Sequence, residues 1–535
     1  MGITQPVISK EKQEVFDIQK KSAISHSNNN KIAEKTIDYI KGLFAEVSEF
    51  PLDGINVHQS LENYGINSIM VIKLTAALEK DFGPLSKTLF FEFQSLAELG
   101  DYFINSHRAR LLQLFGIENV VASKITREEH SLANAPTDND LSYDNPIRIN
   151  DFDKLNESSE KAGNLKDDIV IVGLAGRYAK STNMKEFWRN LCEGKSCITE
   201  IPKLRWDNEL YFDQNKSAPG KIYSKWGGFL DGVDEFDPLF FNISPREAEF
   251  MDPQERLFLQ CACETLEDAG YTRDSLGLNT ADGADFTVGV YVGVMYEEYQ
   301  LYGVEETIKG RPMALSGNPS SVANRVSYFC NFGGPSLAVD SMCSSSLTAI
   351  HLACMGIRNA DCDFALAGGV NVSVHYNKYL MLSQGNFLSS KGRCESFGSG
   401  GDGYVPGEGV GAILLKRYSK AIEDRDHIYG IIRASAINHG GKSNGYSVPN
   451  PKAQSKVIEL ALKRAGVNPR ELSYLEAHGT GTSLGDPIEI SALNKVFRNF
   501  TKDNQFCAIG SVKSNIGHCE SAAGIAGISK VLLQI

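Results

Sequence analysis

With 535 residues, 42% hydrophobic and 22% charged, the chain is too long for one ordinary domain and apolar enough for two or three. Its 66 Asp and Glu outweigh 54 Lys and Arg, and the formal charge of −12 leaves no basic footprint for nucleic acid or an anionic membrane surface. No apolar run is long enough to span a bilayer. The opening "MGITQPVISKEKQEVFDIQKK" has no signal-peptide core, and its Pro6 stands where a myristoylation motif needs Ser or Thr.

Residues 1–33 are polar, end in "SHSNNN" and read as a flexible lead. From Lys31, "KIAEKTIDYIKGLFAEV" has helical apolar spacing at Ile32, Ile37, Ile40, Leu43 and Phe44. After a "PLDGI" loop, Met70, Leu74, Leu78 and Phe82 mark the face of a second helix that starts near Ser68 and stops at Gly83–Pro84. "SLAELGDYFINSHRARLLQLF" reads as a further helix. The segment 34–107 is therefore expected to be a small all-helical domain.

Residues 108–166 are expected to be a linker, since from 120 onward they are rich in Asn, Asp, Ser and Glu. A larger domain, 167–535, opens with the buried strand "DDIVIVGLAGRY" and the helix "MKEFWRNLCEG". Strands ("ADFTVGVYVGV", "DFALAGGVNVSV", "VGAILLKRY", "YGIIRASAIN") then alternate with helical stretches ("PQERLFLQCACETLEDAG", "SKVIELALKRAG"), the pattern of an α/β domain.

Eleven cysteines lie singly apart from Cys261 and Cys263, so neither a disulfide scaffold nor a metal site is expected, and a reducing cytoplasm fits. Most such cysteines are small buried hydrophobes. Cys343, in "AVDSMCSSSLTAIHLAC", differs because it stands where a strand should give way to a helix, whose N-terminus would favour the thiolate. Two histidines sit in glycine-bearing loops: His478 in "EAHGTGTSLGDPIEI" and His518 in "GSVKSNIGHCESAAGIAGISK". After His478, Asp486 reads as an N-cap, Pro487 as the first helical residue and Glu489 as the partner of a capping box. A thiol and two imidazoles make a workable set for acyl transfer and carbanion chemistry. His351, His375, His427 and His439 read as structural or surface residues. "GKSNG" at 441–445 fails as a nucleophile elbow because Pro449 and Pro451 follow it. "GEGVG" at 407–411 lacks the spacing of a dinucleotide fingerprint.

"GINSIMVIKL" and "LEKDFGPLSKTLFFEFQSLAELGDYF" resemble an acyl carrier protein of the modular polyketide synthases that lack built-in acyltransferases. The resemblance implies a four-helix domain with 4′-phosphopantetheine on Ser68, although Asn67 stands where the family usually has Asp. "VDSMCSSSL", "EAHGTGT" and "KSNIGH" are similar to the β-ketoacyl synthase domain of the same enzymes. "FDPLFFNISPREAEFMDPQERLFL", "DGYVPGEGVGAILLKR" and "NHGGKSNGYSVPNP" extend the likeness over 167–535.

This second resemblance implies a thiolase-like α-β-α-β-α layered fold. It implies Cys343 as acyl-accepting nucleophile, His478 and His518 as neutral donors to an enolate, and Lys513 as an active-site lysine organising His518. The expected partners are acyl- and malonyl-carrier domains, a trans-acting acyltransferase, a phosphopantetheinyl transferase and a second copy of the chain. Family members continue past "AGISKVLLQI" to a glycine-rich strand and loop, so the synthase domain is expected to be C-terminally incomplete. Two alternatives accompany chain elongation: acyl translocation without condensation, against which the retained His478 argues, and an inert carrier or docking fragment.

Overall fold

In the computed structural model the described residues are 31–48, 50–64, 66, 68–86, 88–117, 168–278, 286–443 and 449–535; residues 1–30 of the expected lead, Asn67 and most of the expected linker lie outside them, while residues 31–33, also expected in the lead, are helical and bury Ile32. The chain divides into a helical unit within 1–156 and a larger unit comprising 157–439 and 451–535.

In the helical unit, a helix over 31–48 buries Ile32, Thr36, Ile40 and Phe44, one stripe at four-residue spacing. Ile37 and Leu43, expected on that face, flank it and are half-buried. Thr36 belongs in the stripe because its hydroxyl donates to the Ile32 carbonyl at 2.8 Å, which satisfies it without water. The helix Ser68–Phe82 buries Val71, Leu74, Thr75 and Leu78; Met70 and Phe82 lie at the margin of this face. Gly83, at φ 78°, ends it as expected, with its N–H donating to the Glu79 carbonyl at 3.0 Å.

The final helical stretch breaks at His107 into Leu96–Ser106 and Arg108–Phe115. Ser95 caps the first piece, accepting from the Glu98 N–H at 3.2 Å, while Glu98 reaches back to the Gln94 N–H. The second piece packs onto the unit: Leu111 is fully buried, and Arg110 donates to the Asp81 carbonyl at 2.6 Å. Helical packing therefore runs past 107 to Phe115. With the short helix Leu89–Glu92, five α-helices stand among the described residues of this unit, where four were expected.

Among the described residues the larger unit has ten strands: β1 Ile169–Tyr178, β2 Thr199–Glu200, β3 Trp226–Gly227, β4 Val288–Gly293, β5 Ser336–Val339, β6 Phe364–Asn371, β7 Gly409–Arg417, β8 Gly430–Ile432, β9 Tyr474–Glu476 and β10 Ala508–Gly510. Six form a mixed sheet in the order β5-β4-β6-β7-β1-β8, parallel across β5-β4-β6 and antiparallel across β6-β7-β1-β8. β9 and β10 form a separate parallel two-stranded sheet.

The central strands are buried on both faces, which explains their continuous apolar runs. Phe364, Leu366 and Val370 of β6 join one core with the helices Pro253–Asp268 and Pro319–Cys330. Ala365 and Ala367 face the other core, with the helices Ser345–Arg358 and Ala523–Gln534. In β1 the alternation changes parity. Val170 and Val172 share one core with Ala175, whereas Ile169 and Ile171 share the other with Leu174 and Tyr178. The switch coincides with a register shift between Ile171 and Gly173 opposite β7, a β-bulge that re-aims the rest of the strand. Gly173 also lets the helix Pro253–Asp268 approach, since a Cβ there would lie 2.5 Å from the Thr265 carbonyl oxygen.

Candidate active site

Cys343 stands between β5 and the helix Ser345–Arg358, as expected from the sequence. The turn between them is sharp: Met342 has φ 58°, a left-handed conformation unusual for a side-chain-bearing residue. The serines around the thiol hold that turn. Ser345 Oγ accepts from the Ser341 N–H at 3.0 Å, Ser341 Oγ bonds Ser344 Oγ and Thr348 Oγ1, and Asp340 accepts from the Met342 N–H. Fully buried Ser346 ties the turn to the C-terminal helix by accepting from the Ile525 N–H at 3.1 Å.

The half-buried thiol opens on a cleft of about 530 Å3, lined also by Leu347, Glu476, His478, Glu489 and Lys513. The thiolate expected from the helix terminus is not the resting state. Burial and the Glu520 carboxylate push the Cys343 thiol up to about 11, outweighing Lys513, the residue's own N–H and Lys378, which act in the opposite direction.

His478 follows β9, and its backbone is clamped on both sides. Glu489 accepts from the His478 N–H at 2.7 Å and the Gly479 N–H at 2.9 Å, while Ser511 and Ser396 donate to the His478 and Gly479 carbonyls. The capping arrangement expected here does not form. The helix runs Gly485–Phe497, with Leu484 at its N-cap position and no side-chain cap. Asp486 instead accepts from the Phe397 N–H at 2.6 Å and the Gly481 N–H at 3.2 Å. Both carboxylates thus serve loop amides by accepting their N–H groups.

His518 is 1% exposed, and its ring centroid lies 5.3 Å from that of His478, with the ring planes near perpendicular. The Glu520 N–H donates to His518 Nδ1 at 3.0 Å. Nδ1 is therefore the acceptor, and in the neutral ring the hydrogen resides on Nε2. That Nε2 is buried and has no hydrogen-bond partner among the described residues.

Burial and the Lys513 ammonium hold both imidazoles well below their ordinary range, so both are neutral near pH 7. The His478 ring remains accessible from the cleft while protein encloses its other sides, so loss of solvent and access for a ligand coexist there. Lys513 is 5% exposed, and burial lowers its own pKa against the opposing pull of Glu476, Cys519, Cys343 and Glu489.

The structure thus brings Cys343, His478 and Lys513 to one cleft and sets His518 beside His478. Ser68 is the first residue of its helix in the other unit. His351 bonds Ser435 Oγ at 2.7 Å, His375 bonds Glu305 at 3.1 Å, and His427 packs edge-on to Tyr429. Sequence reasoning missed Lys378, Tyr404 and Glu520. Glu520 lies two residues after His518, so its proximity was legible, but its partners come from distant elements.

Comparison with known proteins gives matches over both units. Residues 166–421 match the β-ketoacyl synthase N-terminal domain, residues 429–535 its C-terminal domain, and residues 38–103 a phosphopantetheine attachment site. The chain is 57% identical to polyketide synthase PksL of Bacillus subtilis (97% of this chain, 11% of that protein) and 51% identical to polyketide synthase ThaG of Burkholderia thailandensis (93% and 9%). It thus spans about a tenth of the length of these relatives. Among solved structures, the oxazolomycin ketosynthase domain OzmH KS7 of Streptomyces albus JA3453 superposes with a TM-score of 0.66 at 57% identity, over 69% of this chain and 62% of that one. The ketosynthase from module 6 of the bacillaene synthase of Bacillus subtilis 168 gives 0.63 at 44%, over 68% and 60%. Among the described residues no helix is long and apolar enough to cross a membrane.

Proposed function

Since the chain belongs to the β-ketoacyl synthase family and joins that domain to a phosphopantetheine-attachment domain, we propose that it elongates a polyketide chain through Cys343, His478 and His518. The observation that carries this reading is the pair of neutral imidazoles 5.3 Å apart, one with its Nε2–H buried and unpartnered, beside the cleft that Cys343 shares with His478.

Cys343 sulfur attacks the acyl thioester of an incoming carrier. The new S–C bond replaces the carrier's, and the thiol proton leaves on the departing thiol. The Cys343 N–H stabilises the oxyanion that forms. A malonyl thioester then loses CO2, and His478 and His518 donate to the enolate oxygen. Each donor contributes about 3 kcal/mol to the transition state by analogy with other oxyanion sites. The enolate carbon attacks the Cys343 thioester, and the sulfur leaves as a thiolate that takes a proton from water. Burial keeps both rings in the neutral, hydrogen-donating form, and Lys513 adds to this by repelling a second positive charge.

Ser68, at the start of a helix inside the matched attachment site, is the residue we assign to the phosphopantetheine. That group supplies a flexible thiol on which acyl chains are held at high effective concentration. In this reading the carrier closes one module and the synthase opens the next. A separate acyltransferase loads malonyl, a phosphopantetheinyl transferase modifies Ser68, and the synthase pairs with a second copy in the cytoplasm.

The test loads Cys343 with an acyl thioester, adds a malonyl-carrier and weighs the products. A chain longer by one acetate unit supports elongation. Transfer without growth selects translocation, and no acylation of Cys343 selects an inert fragment.

A further inference from the structure

A buried ion pair lies behind the histidines, and the mechanism above does not use it. Lys378, in the helix Asn377–Gln384, and Glu520, in the turn Glu520–Ala522, are both 0% exposed, and the ammonium contacts Glu520 Oε2 directly. Lys378 Nζ also donates to Asn371 Oδ1 at 3.0 Å and lies 5.0 Å from the centroid of the Tyr296 ring. The other Glu520 oxygen accepts from the Tyr404 hydroxyl at 3.3 Å, and the Tyr404 ring packs edge-on to His518 at 5.0 Å. Glu520 itself has φ 46°, a left-handed backbone held while its N–H points at His518 Nδ1.

Taking two charges out of water is expensive, and a shape-matched apolar pair often serves stability as well or better. Stability alone is therefore a weak reason for this pair. The geometry offers another. Glu520 is joined to His518 through its backbone, and its carboxylate lies close enough to oppose ionisation of Cys343. A bare carboxylate there would hinder the thiol twice, by its field and by its tendency to move toward water.

We propose that Lys378 is a positioning residue of this site, acting through Glu520. By neutralising the Glu520 carboxylate it keeps Cys343 ionisable and holds the turn from which the Glu520 amide fixes the His518 tautomer. The proposal rests on the reading of Cys343 as the nucleophile. The other charged or titratable groups around the thiol and its cleft are Lys513, Glu476, Glu489, the two imidazoles, Tyr296, Tyr404 and Asp340. None of these makes an ion pair with Glu520 among the described residues.

The test is the rate of Cys343 alkylation by iodoacetamide in the full chain, followed by peptide mass spectrometry from neutral to alkaline pH. Lys378→Met should slow alkylation at fixed pH on the order of tenfold, moving the profile up by about one pH unit. Glu520→Gln should move it down, the double variant should return close to wild type, and Lys378→Arg should keep the wild-type profile. A folded Lys378→Met protein with an unmoved profile overturns the proposal, because a purely structural pair would change melting and leave the thiol alone. Where Lys378→Met does not fold, the double variant must alkylate more slowly than Glu520→Gln, and equal rates overturn the proposal. Wild-type Cys343 that resists alkylation at every pH would instead remove the nucleophile reading beneath it.

Discussion

The backbone N–H of Glu520 and the Nδ1 of His518 are 3.0 Å apart, and this one contact determines which ring nitrogen carries hydrogen. A backbone amide only donates, so Nδ1 only accepts, and Nε2 is the nitrogen that carries the hydrogen of the neutral ring. A tautomer set by the main chain survives most side-chain changes nearby.

Replacing His518 with Gln removes the ring donor and leaves a neutral side chain. Acylation of Cys343 should continue, while condensation falls by about 10²–10³-fold, the usual cost of one oxyanion donor. Mass spectrometry of the acyl-enzyme and of released product measures the two steps separately. Equal loss in both would mean that His518 serves the cleft's structure rather than the enolate.

Glu489→Ala strips two loop amides of their acceptor without touching the His478 ring. Hydrogen bonds to a charged group contribute about 1.5–3 kcal/mol each. The variant should therefore melt several degrees lower, and condensation should drop more than acylation. An unchanged melting temperature would show that water replaces the carboxylate at no cost.

The two imidazoles set a pH dependence of stability. Their folded pKa values lie below the ordinary 6.5 of an unfolded imidazole, so the unfolded chain binds more protons as the pH falls below that value. The stability they contribute is complete above about pH 6.5 and is lost as the pH drops toward their folded values. Thermal melts at descending pH should show this acid sensitivity blunted in His518→Gln. Parallel curves for wild type and variant would contradict it.

Two glycines should respond in opposite senses. At Gly173 a methyl group would press on the Thr265 carbonyl oxygen and on Ala269 Cβ, and Gly173→Ala should destabilise the larger unit by about 1–3 kcal/mol. Gly42 lies within the helix 31–48 with nothing within 4 Å of an added Cβ. Gly42→Ala should stabilise the helical unit by about 0.5–1 kcal/mol. Chemical denaturation of the full chain, followed by probes in each unit, distinguishes the two effects.

Local sequence determined the elements and the chemically able residues. Apolar spacing located the helices at 31–48 and Ser68–Phe82, and continuous apolar runs located β1, β6 and β7, because burial on one or two faces imposes a periodicity that any short window reveals. The thiol and the two glycine-flanked histidines were visible for the same reason, since each motif is contiguous.

Tertiary structure decided what those residues experience. Asp486 and Glu489 looked like helix caps and instead hold loop amides from other segments. Cys343 looked poised as a thiolate and is instead held as a thiol, because burial and Glu520 outweigh a helix terminus. Lys378 and Glu520 are 142 residues apart in the sequence, and only the packing of their elements makes them an ion pair. Electric fields and desolvation depend on distances through space, which contiguous sequence does not encode.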